Sequence, residues 1–302
     1  MINKIKLFLL VFFIGISGFG QQLNTFLKPS DTLNVKRRNA VVVSETVLGA
    51  SALIGLNALW YKDYDRSKFH TINDLNEWMQ MDKIGHVFSS YQLARAGADV
   101  FNWSGVSKKD QLIYGATFGF AFLSAVEIFD GFSKEWGFSW SDIGANALGT
   151  GLYIGQELLW EEQRLQLKYS FHQTPYASMR PERLGGSFLE QMFKDYNGQI
   201  YWLSANLDAF FKKANFPKWL NIAIGYSANG MLTGENEPVN NMFTSQDRYR
   251  QFYLSFDVNL TNINTKSRVL KTIFSVLNVI KVPLPTIEFN SKNNAVFHIL
   301  LH

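Results

Sequence analysis

Three apolar stretches between residues 81 and 151 each carry acids, a histidine or an asparagine at helix-face spacing. Asp82 and His86 lie four apart in MDKIGH, Glu127 and Asp130 lie three apart in VEIFD, and Asp142 and Asn146 lie four apart in SDIGANALGTG. Side chains three or four residues apart share one face of a helix. Three packed helices would therefore let all six converge. Carboxylates and imidazole are ligands for a divalent cation, and a His with carboxylates can also move a proton. Candidate catalytic residues are Asp82, His86 and Glu127; candidate metal ligands are those three with Asp130 and Asp142. Ionisable groups inside apolar helices are expensive to bury, so they are either paired or functional. The bland use is a satisfied hydrogen-bond network of Asp82, Lys83, His86, Glu127, Asp130, Asp142 and Asn146. In it Asp82 is an N-cap, Asp142 a first-turn acid and Asn146 a buried amide. Gly149 and Gly151 would allow close helix approach nearby.

These residues need helices to hold them. The stretch from Asn39 to Trp60 predicts a first helix, Met81 to about Phe101 a second, Gln111 to about Phe132 a third, and Ser139 or Ser141 caps a fourth that runs to about Trp160. Beyond Arg164 the pattern changes. Pro175, Pro181, Gly185, Gly186 and Gly198 mark a linker, with a short helix around 187–196. From Gln199 apolar residues alternate with polar ones at Tyr201 to Ala209, again at Leu220 to Tyr226, and again at Arg250 to Leu260, which predicts three strands. Leu270, Ile273, Phe274, Leu277 and Ile280 return to helical spacing before Pro283 and Pro285, and two short strands close the chain.

The expected fold class is α+β: an N-terminal four-helix bundle, long enough in each helix to be embedded in a bilayer, followed by a small antiparallel β-containing region. The expected divisions are a signal peptide at 1–20, a leader at 21–38, the helical domain at 39–164, a linker at 165–198 and a β-rich region at 199–302. Lys4 and Lys6 precede an apolar run from Leu7 to Ile16, and small residues end at Gly20, as in a secretory signal. The expected location is therefore exported, periplasmic or outer-membrane associated.

Composition agrees. Apolar residues make up 47% of 302 and the mean hydropathy is -0.07, which excludes a saturated polytopic transporter. Aromatics reach 15%, which suits a membrane interface or a large aromatic β core. A net charge of +4 on scattered basic residues gives no nucleic-acid surface, and membrane lipid or another envelope protein is the expected partner. Cysteine is absent, which removes thiolate metal sites, a Cys nucleophile and lipidation at cysteine. Each candidate helix carries a charge near its middle or ends, and a central acid costs about 2.5–3.5 kcal/mol on insertion. Glu45, Glu127 and Asp142 would thus protect an exported chain from arrest in the inner membrane. His70, His172, His298 and His302 lack comparable neighbours and read as surface or loop residues. Trp60, Trp136 and Trp160 sit near helix ends.

The order DKIGH, VEIFD, SDIGANALGTG resembles the VanZ-like membrane proteins and, more closely, the uncharacterised YfiM-type family described as predicted periplasmic lipoproteins. The resemblance covers residues 78–156, with Asp82, Lys83, His86, Glu127, Asp142, Asn146 and Gly149 at the motif places. It implies an envelope location and a helical architecture, and no settled reaction. The missing cysteine and the alternating C-terminal region depart from it. With no phosphate-binding loop, dinucleotide fingerprint, nucleophile elbow or HExxH motif, the expected function is a non-enzymatic structural or interaction role. The alternative is a membrane-surface hydrolase or lipid-modifying enzyme using Asp82, His86 and Glu127 around either a bound divalent metal or a water. A third reading makes residues 199–302 part of an outer-membrane sheet.

Overall fold

The computed structural model describes residues 21–57, 61, 64–235 and 248–301. The expected signal peptide, Trp60 and His302 lie outside them. The architecture is mixed α+β. Helices α1 (Val35–Leu56), α2 (Met81–Trp103), α3 (Lys108–Asp130, with a π turn at Gln111–Ala116) and α4 (Trp140–Leu159) precede a six-stranded antiparallel sheet.

Helices α2, α3 and α4 pack on one another around Tyr91, Ala94, Ala98, Leu112, Ala116 and Tyr153. Small residues let their backbones approach. A Cβ on Gly97 would sit 2.2 Å from the Gly115 carbonyl oxygen, and one on Gly149 would sit 2.1 Å from both Ser90 Oγ and the Val87 oxygen. Gly151 plays no such part, because nothing lies within 4 Å of its Cβ position. The four-helix expectation gives way to three packed helices with α1 alongside. Asn34 caps α1, and Arg37 reaches the Trp103 carbonyl, but Val41 is the buried side chain of the helix. Its Val43, Val47, Leu48 and Ile54 face outward.

Two short parallel strands, β1 (Thr71–Ile72) and β2 (Phe138–Ser139), clip the approach to α2 against the approach to α4. The sheet then runs as a meander: β3 (Leu165–Phe171), β4 (Gln199–Asn206), β5 (Leu220–Asn229), β6 (Tyr249–Val258), β7 (Thr286–Asn290) and β8 (Asn294–His298). Its first strand falls where the sequence predicted a linker; Pro175 and the glycines that suggested one lie after β3. Short helical turns and α5 (Phe188–Lys194), whose Ser187 and Glu190 form a capping box, connect β3 to β4. Helix α6 (Arg268–Leu277) and the segment after it return to the free edge of β3, where Tyr169 N–H donates to the Val279 oxygen and Lys281 N–H to the Tyr169 oxygen.

The sheet is polar on its covered face and apolar on its outer one. Lys168, Trp202, Ser204, Asn221, Asp257 and Glu288 are buried, while Ile222, Ile224, Phe252, Leu254, Phe256 and Phe289 are exposed. The covered face is satisfied internally. Lys168 Nζ is 2.7 Å from Asp257, Ser204 Oγ donates to Asp257 at 2.7 Å, and Asn221 donates to Ser204 Oγ at 2.9 Å. His298, expected at the surface, instead pairs with Glu288 at 2.8 Å.

Candidate functional site

The start of α2 sits on an unusual backbone. Trp78, Met79 and Gln80 have φ of 47°, 51° and 65°, left-handed values that cost a non-glycine residue about 1–2 kcal/mol each. The sheet holds them there: Arg250 donates to the Met79 oxygen at 3.0 Å and to Gln80 Oε1 at 2.7 Å, and Tyr226 OH donates to the same Met79 oxygen at 2.5 Å. This turn aims the first residues of α2 at α4. The N-cap position belongs to Gln80, so Asp82 is not an N-cap but a first-turn acid with other work.

Lys83 is the hub. Its ammonium lies 2.6 Å from Asp74, 2.9 Å from Asp82 and 2.8 Å from Asp142. Asp74 also accepts from Ser139 Oγ at 2.6 Å and Ser141 Oγ at 2.8 Å, and Ser139 caps α4 by accepting from Asp142 N–H. His86 stands one turn further on. Its Nδ1 is 3.0 Å from Asn146 Oδ1, and its Nε2 faces Glu127 at 3.6 Å, Asp142 at 3.8 Å and Asp82 at 3.9 Å. Tyr196 OH donates to Asp82 at 2.6 Å.

Five of the six predicted side chains therefore meet, with Lys83 among them. Asp130 makes no direct contact with them; its carboxylate accepts from Tyr61 OH at 2.6 Å. Asp82, His86 and Asp142 offer ligand atoms that all lie within 4.8 Å of one another. Asp74 and Tyr196 were missed. Asp74 lies between the first two predicted helices and Tyr196 in the linker, and neither carries a local pattern that points to α2.

Burial and charge divide the acids. Burial pushes the Asp82 carboxyl up, but His86, Lys83 and the Tyr196 hydroxyl outweigh it and hold it below the usual carboxylate range. Asp74 is likewise held low, since Lys83 and the two serine hydroxyls overcome its burial. Asp142 lies deeper, and burial followed by repulsion from Asp82 raises it to about 6 despite the same two cations. Burial alone would lower His86, yet Asp82, Asp142 and Glu127 together raise it above 6.5. Lys83 is raised too: its burial is overcome by Asp82 and Asp142. Within the cluster, Asn146 Nδ2 and Asp142 Oδ1 are buried without a hydrogen bond, the latter touched by the Lys83 ammonium but off the hydrogen-bond direction.

A cleft of about 360 Å³ reaches the cluster, with Asp82 and His86 on its wall beside Phe88, Leu123, Phe193 and Tyr196. The centre can thus exchange protons or hold a cation within reach of an amphiphile.

Residues 73–155 match the model of a family described as predicted periplasmic lipoprotein (DUF2279). The matched segment begins one residue before Asp74 and contains Asp82, Lys83, His86, Glu127, Asp142 and Asn146. No curated protein and no solved structure matches the chain. The description agrees with the expected location: the protein is exported and associated with the periplasm or outer membrane.

Proposed function

We propose that the chain is a non-enzymatic cell-envelope protein whose polar centre ties α2, α3 and α4 together and presents the apolar outer surface to a lipid or protein partner. The observation that carries this reading is the Lys83 ammonium seated between Asp74, Asp82 and Asp142. A cation shared by three carboxylates is satisfied, and removing it leaves buried charges unpaired. The finer likeness to YfiM-type and, beyond them, VanZ-like proteins belongs to the same proposal and rests on the motif positions from Asp82 to Gly149.

A second reading has its own observations: the cleft at Asp82 and His86, and the unsatisfied Asp142 Oδ1 and Asn146 Nδ2. His86 Nε2 stands 3.6–3.9 Å from three carboxylate oxygens, too far for hydrogen bonds. Ligands held about 2.0–2.2 Å from one divalent cation would have to draw only slightly closer. This reading is a membrane-surface hydrolase or lipid-modifying enzyme using Asp82, His86 and Glu127.

One experiment separates the two. Under the structural reading, purified protein carries no stoichiometric metal. Lys83→Met then lowers unfolding stability by about 3–5 kcal/mol and His86→Ala by about 1–3 kcal/mol, both read in denaturant titrations. One equivalent of metal in the wild type, lost in a stably folded His86→Ala variant, would replace the first reading with the second.

A further inference from the structure

The sheet is inverted relative to one that packs its apolar face inward. One row of paired residues, Leu167, Leu203, Ile224, Leu254, Ile287 and Phe297, crosses all six strands on the apolar face; α2 covers its β3–β4 end, where Leu167 packs on the helical core and Tyr201 on Phe88, and leaves the β5–β8 part exposed. The rows flanking it hold Ala205, Ile222 and Phe256 on one side and Tyr201, Tyr226, Phe252 and Phe289 on the other, so no charged side chain enters the middle of this face. Ile224 is 57% exposed, Phe256 53% and Phe252 52%, while the ion pair Lys168–Asp257 behind them is fully buried. Water selects the opposite arrangement: a half-solvated antiparallel sheet turns its apolar residues to the core. Hydrocarbon selects this one.

From this inversion we propose that the outer face of β5–β8 lies against the hydrocarbon of a lipid bilayer. Two further features favour lipid as the occupant. Helix α6 also turns apolar side chains, Leu270, Ile273, Val276 and Leu277, outward while Ser275 on its other side accepts from Arg95. An apolar cleft of about 560 Å³ between α2 and the sheet, walled by Ile84, Val87, Phe88, Leu203, Ile224 and Leu254, opens on the same face and suits an acyl chain. An unpaired strand edge is not tolerated in hydrocarbon. The β8 edge, which has no partner strand among the described residues, therefore stays at headgroup level, and it is the face that meets the lipid. The proposal is independent of the polar centre.

The absence of cysteine makes the test direct. Single-cysteine variants Ile224→Cys, Phe252→Cys and Phe256→Cys of the full chain, with Lys213→Cys in an exposed turn as reference, are nitroxide-labelled and reconstituted with phosphatidylethanolamine–phosphatidylglycerol vesicles. The three face labels are expected to relax several-fold more with oxygen, relative to a water-soluble nickel complex, than the Lys213 label. Nickel access equal to that of the reference overturns the proposal. So does exclusion of both reagents with dipolar broadening, which would mean that a second copy covers the face.

Discussion

Lys83 does at one atom what a bound cation would otherwise do, and His86 one turn away sits among the carboxylates that the ammonium does not neutralise. The consequence appears in pH dependence. The folded protein holds the His86 proton above the ordinary 6.5. Stability from this group is therefore fully present below pH 6.5 and is lost as pH rises through the folded value. Asp142, raised from 3.8 to about 6, acts with the same sign at lower pH: folding favours its protonated form, so its contribution declines from about pH 4 to 6. Asp82 is held low and acts oppositely, its contribution appearing above 3.8 and vanishing in stronger acid. Glu127, which faces His86, is raised by burial to about 8 and acts with the same sign. Denaturant midpoints should therefore fall as pH rises above 6.5 in the wild type, and His86→Gln should lessen that fall without abolishing it; an unchanged slope would mean that the imidazole is not held protonated. Three of the four acids at this centre, Asp82, Glu127 and Asp142, and the histidine announced themselves by spacing within one helix or by the motif resemblance. Asp74 did not, because its partner Lys83 becomes a neighbour only when β1 pairs with β2.

At the scale of elements, two contacts carry the arrangement. Helices α2 and α3 touch backbone to backbone at Gly97 and Gly115, with no room for a Cβ. Gly97→Ala should force them apart and cost about 1–3 kcal/mol, as overpacking does. Gly151→Ala on α4, where the space is open, should instead gain up to about 1 kcal/mol from helix propensity. Thermal melts of the two variants moving in opposite directions would check this. In the sheet, Lys168 and Asp257 are both fully buried 2.7 Å apart. Lys168→Met should cost about 3–5 kcal/mol by leaving the carboxylate alone, and Lys168→Met with Asp257→Leu should recover much of it. A double variant no better than the single would show that the remaining polar network, not the pair, sets the cost. The strands from Gln199 onward were legible because the period of two was clean. Strand β3 was not, since the prolines and glycines that follow it made the segment look like a linker.

The whole molecule shows apolar surface on α1, on the Leu148 and Leu158 side of α4, on α5, on α6 and across the sheet, around interiors tied by polar groups. Two helices, Val35–Leu56 and Lys108–Asp130, are long and apolar enough to cross a membrane by length and composition. On the proposal made above, this surface lies against lipid. After carbonate extraction it is expected to sediment with the membrane fraction and to need detergent for monodisperse elution; release into the supernatant would mean peripheral attachment.

Residue order alone determined the period of α2 to α4 and of the strands from Gln199 onward, the serine cap of α4 and the presence of a polar centre on α2, α3 and α4, because these depend on neighbours within a turn or a strand. Periodicity has no inside or outside. The Leu270–Ile280 stripe and the alternation in β4–β6 would look the same whether they faced a core or a solvent of hydrocarbon, and only the packed chain put Lys168, Asp257 and Ser204 within and Ile224, Phe252 and Phe256 without. Likewise Tyr196 meets Asp82 across 114 residues of chain. Such contacts arise from the path of the backbone through space, which no local spacing encodes.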